Sequence, residues 1–402
     1  MWSVIRQRQG LMPNEAPSRN EASYNAHQRC ILLHAVRPNV PYISPTAFSK
    51  AYGDLVYSKI RRWLLDERVS VRLQAVNHIV ELYKKKREHC VQSLAYDMLP
   101  ILLSTLEKDE SPALRERAAM ALELLVREAR TQRLLLGGGS TENASFSTST
   151  GAQRAPAPHL AAILGSLRDE SDEVVVAGLR VVLACHMAHN EFSVTSALVQ
   201  GGLLPLLIGL IQSTNTVTQI VACSATRQLF QVKEVNVELL KLGIVTTLTK
   251  AISTTEAAAL VAEAAEVVSL IAEYAQGRRD AVACGTLASL LPHLHNGNLT
   301  LRVAVYGAAA QITVLEAAKM QATELGYPQQ LACEFASEDE RDVLVHMLRL
   351  IYNLAEWPKA RVTLRECVSR IAELQQLAAD DADVMFALKE TDRILKKKVF
   401  PV

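Results

Sequence analysis

The most apolar stretch of the chain, GGLLPLLIGLI at residues 201–211, sets its leucines in a helical rhythm. Leu203, Leu206, Leu207 and Leu210 recur at i, i+3, i+4 and i+7. This spacing predicts a helix with one buried face, because positions three and four apart lie above one another on a 3.6-residue spiral. Eleven residues are too few to cross a bilayer, which takes roughly 20 as a helix. No Gly-Lys-Ser/Thr follows, so the glycines do not mark a phosphate loop.

The pattern returns at a fixed interval. Gly202, Gly243, Gly285 and Gly326 each precede such a run and lie 41, 42 and 41 residues apart, and another 41 residues lead to Cys367 in the same slot. Asp97 and Asp54 hold the slot toward the N-terminus, 43 residues apart, whereas the next matching run, near Pro158, lies 61 residues after Asp97. The excess falls on residues 137–157, rich in Gly, Ser, Thr and Pro, which cannot bury enough apolar surface to order themselves. The reading is a tail over 1–45, repeats one and two over 46–136, a flexible loop over 137–157 between repeats two and three, and repeats three to eight over 158–402, ending in a capping helix.

Each unit reads as a short helix, an anchor turn, a helix of about ten residues, a polar turn and a longer helix. Glycine suits the anchor because it enters the left-handed region without a steric penalty. Pro100 and Pro205 fall in the first turn of their helices, where no amide bond is lost. The polar turns carry Asp66-Glu67, Asp109-Glu110, Asp169-Glu170 and Ser337-Glu338-Asp339-Glu340. Acids there predict caps for the free amides of the following helix; the alternative is an acidic edge that docks basic partners.

Composition agrees with packed helices, since 49% of residues are apolar and only 5% aromatic. With 43 basic against 42 acidic residues the net charge is +1, which provides no global field for nucleic acid or an anionic membrane. The seven scattered cysteines, with no Cys-x-x-Cys among them, read as buried thiols of a cytosolic protein. The N-terminus lacks the apolar core of a signal peptide, so the sequons at Asn143 and Asn298 carry no weight.

Candidate chemistry is sparse. Cys185-His186-Met187-Ala188-His189 has metal-capable side chains but only one cysteine and no second ligand cluster nearby, and packing explains it as well. His293 and His295 suit a helix end. Neither Gly-x-Ser-x-Gly nor His-Glu-x-x-His occurs. The expectation is no catalytic residue, no metal and no cofactor. Two basic runs, Lys84-Lys85-Lys86-Arg87 and Lys396-Lys397-Lys398, close helices, where cations complement the dipole; a nuclear signal or a contact with a tubulin tail is the functional alternative.

The period, the Gly-x-x-Pro-x-Leu motif and an arginine early in the third helix (Arg72, Arg115, Arg302) resemble the armadillo repeat. Eight units cover residues 46 to about 397. The resemblance implies an all-α, right-handed superhelical solenoid that binds other proteins. Armadillo arrays commonly hold extended peptides with an asparagine near the end of each third helix, and importin-alpha-type proteins add a tryptophan one turn earlier. Here the asparagine slot, to within a residue, holds Glu81, Leu124, Cys185, Leu229, Leu270, Ile312 and Asn353, and the tryptophan slot beside Asn353 holds Arg349. The groove therefore reads as rebuilt for a different partner, with Arg349, Asn353, Asn77, Glu81, Lys84, Lys85, Lys86 and Arg87 as candidate contacts.

The segment PTAFSKAYGDL, Pro45 to Leu55, followed by LLDERVSVRLQAV, is similar to the opening of the armadillo-repeat radial spoke protein family. That similarity implies a non-catalytic component of the axoneme in motile cilia or flagella, with radial spoke subunits or other axonemal proteins as partners. A cytosolic armadillo adaptor in trafficking or nuclear transport is the alternative.

Overall fold

The computed structural model describes residues 55–137, 158–187, 193–377 and 381–397. The tail over 1–45, the start of repeat one and most of the loop at 137–157 lie outside them. The chain divides into two units, Met1–Val56 and Tyr57–Val402. Of the first only Leu55 and Val56 are described, and the helical array belongs to the second. The described residues form helices and no strand.

Eight third helices run over Val69–Lys85, Pro112–Leu125, Asp172–Met187, Thr216–Leu229, Ala258–Ile271, Leu299–Ile312, Arg341–Ala355 and Ala382–Leu395. Each packs against the next, so they form one continuous layer. Second helices such as Met98–Lys108, Leu203–Ile211 and Ile244–Thr254 pack against the third helix of their own repeat. Short first helices, such as Ala275–Ala283 and Glu316–Glu324, join one repeat to the next. No repeat can bury its apolar face alone; stacking does so for all of them.

The predicted anchor is a real backbone state. Gly202, Gly243, Gly285 and Gly326 have φ of 95°, 73°, 69° and 89°, and Asp97 takes the same state at 57°. Gly137, at 79°, also belongs to the series. It lies 40 residues after Asp97 and directly follows the first helix of repeat three, Ala129–Leu135. The third anchor is therefore Gly137 and not Pro158, and the inserted segment falls inside repeat three, between its first and second helices. Cys367 departs from the pattern, because the chain stays in right-handed helical conformation through Arg365–Cys367 and Val368.

The opening stretch is core. Leu203, Leu204, Leu207 and Ile211 are buried. Among the described residues no single helix is long and apolar enough to cross a membrane, and the apolar pair Ser193–Gln200 and Leu203–Ile211 bends by 75°. Cys90, Cys185, Cys223 and Cys367 are buried, but Cys284 is half-buried and Cys333 exposed, which corrects the expectation of uniformly buried thiols. The last repeat is not wholly polar either: its third helix leaves Phe386 70% exposed.

Candidate functional site

The acids of the polar turns are held by the chain's own arginines. Arg72 Nε donates to Asp109 Oδ2 at 3.0 Å, while its Nη1 donates to the carbonyls of Asp66 and Glu67. Arg115 repeats the arrangement one unit on, donating to both oxygens of Asp169 at 2.7 and 2.8 Å and to the Asp109 and Glu110 carbonyls. Arg302 pairs with Glu338, and Arg341 with Asp381. Arg72 and Arg115 thus tie their own turn to that of the next repeat, and Arg302 and Arg341 reach the next turn's acid from their own third helix. In place of capping the helix, Asp109 and Asp169 accept the amides of Ser111 and Ser171 two residues on. The helix caps are Asn215, Asn298 and Asp381. Burial alone pushes Asp169 up, but the Arg115 guanidinium and the Ser171 amide hold it below the usual carboxylate range. These paired acids are not a free edge for basic partners.

A second set of ties joins a first helix to the turn that precedes the first helix of the next repeat. Arg87 pairs with Glu128 and Lys319 with Glu356. Of the predicted basic run, Lys84, Lys85 and Lys86 are exposed while Arg87 is held by Glu128. At the other run, Lys396 pairs with Asp392 at 2.6 Å, and Lys398 lies outside the described residues. Glu81 is exposed and stands 3.9 Å from His78; Asn77 is half-buried.

The third-helix layer presents a regular stripe. From repeat four onward, positions four, eight or twelve residues after a helix start line two grooves. A cavity of about 570 Å³ is walled by Gln228 of repeat four, Glu266 and Leu270 of repeat five, Val303 and Gly307 of repeat six and His346 of repeat seven, with Phe230 and Tyr274 at its edge. A second, of about 700 Å³, is walled by Gln311 and Val314 of repeat six, Val345, Arg349 and Asn353 of repeat seven, and Phe386 and Glu390 of repeat eight. Arg349 and Asn353, predicted together, do share this groove. The basic run at 84–87 belongs to repeat one and joins neither.

The helix starts correct the asparagine register. Twelve residues after each start come Glu81, Leu124, Ala184, Gln228, Leu270, Gln311 and Asn353. Cys185, Leu229 and Ile312, slot residues on the sequence reading, are one position late and buried in the core. That slot therefore carries three amides among the described residues, Gln228, Gln311 and Asn353, where the sequence pattern marks one. Glutamine carries the same amide one carbon further out, so a pattern built on asparagine passes over it.

Asn353 Nδ2 donates to the Ala310 carbonyl at 2.7 Å and reaches Thr313 Oγ1 at 3.5 Å, tying repeat seven to repeat six. Gln228 Oε1 is buried on the cavity wall without a hydrogen-bond partner among the described residues, a costly state for a polar atom. Glu263 and Glu266 share one guanidinium, Arg227, at 3.2 and 2.9 Å. Burial raises the Glu263 carboxyl above its usual range, and Glu266 adds to the rise. Among the described residues no three His, Cys, Asp or Glu side chains converge as a metal site would need.

No family model matches the chain, and no curated protein matches it. Solved structures do. A crystal structure of an engineered protein superposes with a TM-score of 0.58 at 16% identity, covering 98% of this chain and 99% of that one. A designed armadillo repeat protein superposes with a TM-score of 0.53 at 17% identity, covering 59% of this chain and all of that one. The fold of this chain is that of an all-α, armadillo-like solenoid.

Proposed function

We propose that this protein is a non-catalytic scaffold that binds other proteins along the third-helix layer of repeats four to eight. The observation that carries the reading is an orderly groove that the described residues leave open. Val314 and Phe386 stand exposed on its walls at 49% and 70%, and the Gln228 side-chain oxygen, unpartnered among the described residues, lies in the wall of the neighbouring cavity. Large exposed apolar residues rimmed by polar ones mark interaction surfaces.

Within this class we assign the protein to the radial spoke of the axoneme in motile cilia or flagella, with axonemal proteins as partners. Support comes from the segment Pro45–Leu55, which lies outside the described residues apart from its last, and from the interrupted asparagine series. The test is to tag the full chain in a flagellated cell. The reading expects a signal on the axoneme that resists detergent extraction; a diffuse cytoplasmic or nuclear signal would refute it. The adaptor reading has one observation in its favour, the amide series Gln228, Gln311 and Asn353. Tight binding of basic peptides, weakened by Asn353→Ala, would establish it instead.

A further inference from the structure

The groove across repeats six to eight has one charge that nothing balances. Arg349 is exposed on its wall and makes no ion pair or hydrogen bond among the described residues. Of the two acids of the same wall, Glu390 lies 2.5 Å from Arg393, and Asp383 lies 3.7 Å from Arg341, which also pairs with Asp381 and Asp342. Burial, and after it the Arg349 charge, holds the nearby His346 imidazole below its ordinary range. Phe386 and Val314 stand exposed in the walls, with Val345 and Tyr352 half-buried between them.

We propose that this groove docks an extended segment of a partner protein that places an apolar side chain against Phe386 and Val314 and a carboxylate on Arg349. The proposal rests on the third-helix layer being the binding face and names the partner's chemistry at one end of it. The groove crosses three third helices. At roughly 10 Å between neighbouring axes it spans about 20 Å, which an extended chain covers in about six residues. A guanidinium suits a carboxylate because its planar fork can make two parallel bonds to it. Arg349 would also steer the approach of an acidic segment.

The test uses the full chain and fluorescent ten-residue peptides with two leucines and one glutamate in an otherwise Gly/Ser background, and the same peptides with lysine in place of glutamate. The wild type should bind the glutamate peptide at least about tenfold more tightly. Arg349→Glu should reverse the preference, and Phe386→Ala should weaken the glutamate peptide about tenfold. Melting curves check that both variants fold; if Phe386→Ala melts early, Arg349→Gln reads the charge preference alone. Equal binding of both peptides, or a preference that survives Arg349→Glu, overturns the carboxylate assignment while leaving the binding face intact. A dimer in sedimentation equilibrium that Phe386→Ala dissolves also overturns it, by giving the groove to a second copy of the chain.

Discussion

Asp97 holds a backbone conformation that glycine holds at five other anchors, with φ of 57°. A residue with a Cβ loses roughly 1 to 2 kcal/mol there, and aspartate is among the few that visit it. Asp97→Gly should therefore leave the melting temperature unchanged or raise it, while Asp97→Val should lower it. The ion pair to Arg61, at 3.3 Å, joins two exposed side chains and adds little. Gly277 shows the opposite demand. A Cβ there would sit 2.1 Å from the Ile271 carbonyl oxygen and 2.6 Å from Ile271 Cγ2. From sequence alone this glycine looks like a flaw inside the helix Ala275–Ala283. Its reason is the turn that ends the preceding helix, and Gly277→Ala should destabilise by about 1 to 3 kcal/mol in denaturant titration.

At the scale of elements, the repeat is legible in the sequence because one anchor conformation and one helical rhythm recur every 41 to 43 residues. The arginine clamps are half legible: Arg72 and Arg115 stand out as a motif, but their carboxylates lie 37 and 54 residues away, and only folding brings them together. Register is the weak point. Choosing Gln228 over Leu229 needs the helix start, and a one-residue slip turns a groove residue into a core residue. The clamps yield a graded prediction. Arg115 and Asp169 are both largely buried, at 15% and 10% side-chain exposure, so Arg115→Ala strands a buried carboxylate and should cost about 3 kcal/mol. Arg68→Ala, which breaks the pair with the more exposed Asp66, should cost much less, because water screens that pair. Equal losses in the two variants would show that the clamp does not join the repeats.

For the whole molecule, buried titratable groups set the pH range of stability. Burial lowers the imidazoles of His186, His293 and His346. Between their folded and unfolded values the unfolded chain binds more protons, so their contribution is fully present above the ordinary histidine value of about 6.5 and fades as pH falls below it. Asp169 and Asp381 are held low, and their contribution fades below about pH 4. Burial pushes Cys90 to about 11 and Cys185, Cys223 and Cys367 to about 12. Unfolding releases those thiols to titrate near 8.5, so stability also falls above that pH. Melting temperature measured across pH should therefore show a plateau between about pH 6.5 and 8.5 and decline on both sides.

The central claim is that the third-helix layer of repeats four to eight is the surface on which this scaffold holds its partners. Placing a photoreactive amino acid at Gln311, in the groove, and separately at Glu324, on the first helix of repeat seven, tests it inside a flagellated cell. The account predicts crosslinks to other proteins from position 311 and few or none from 324. Crosslinks from 324 with none from 311 would contradict it.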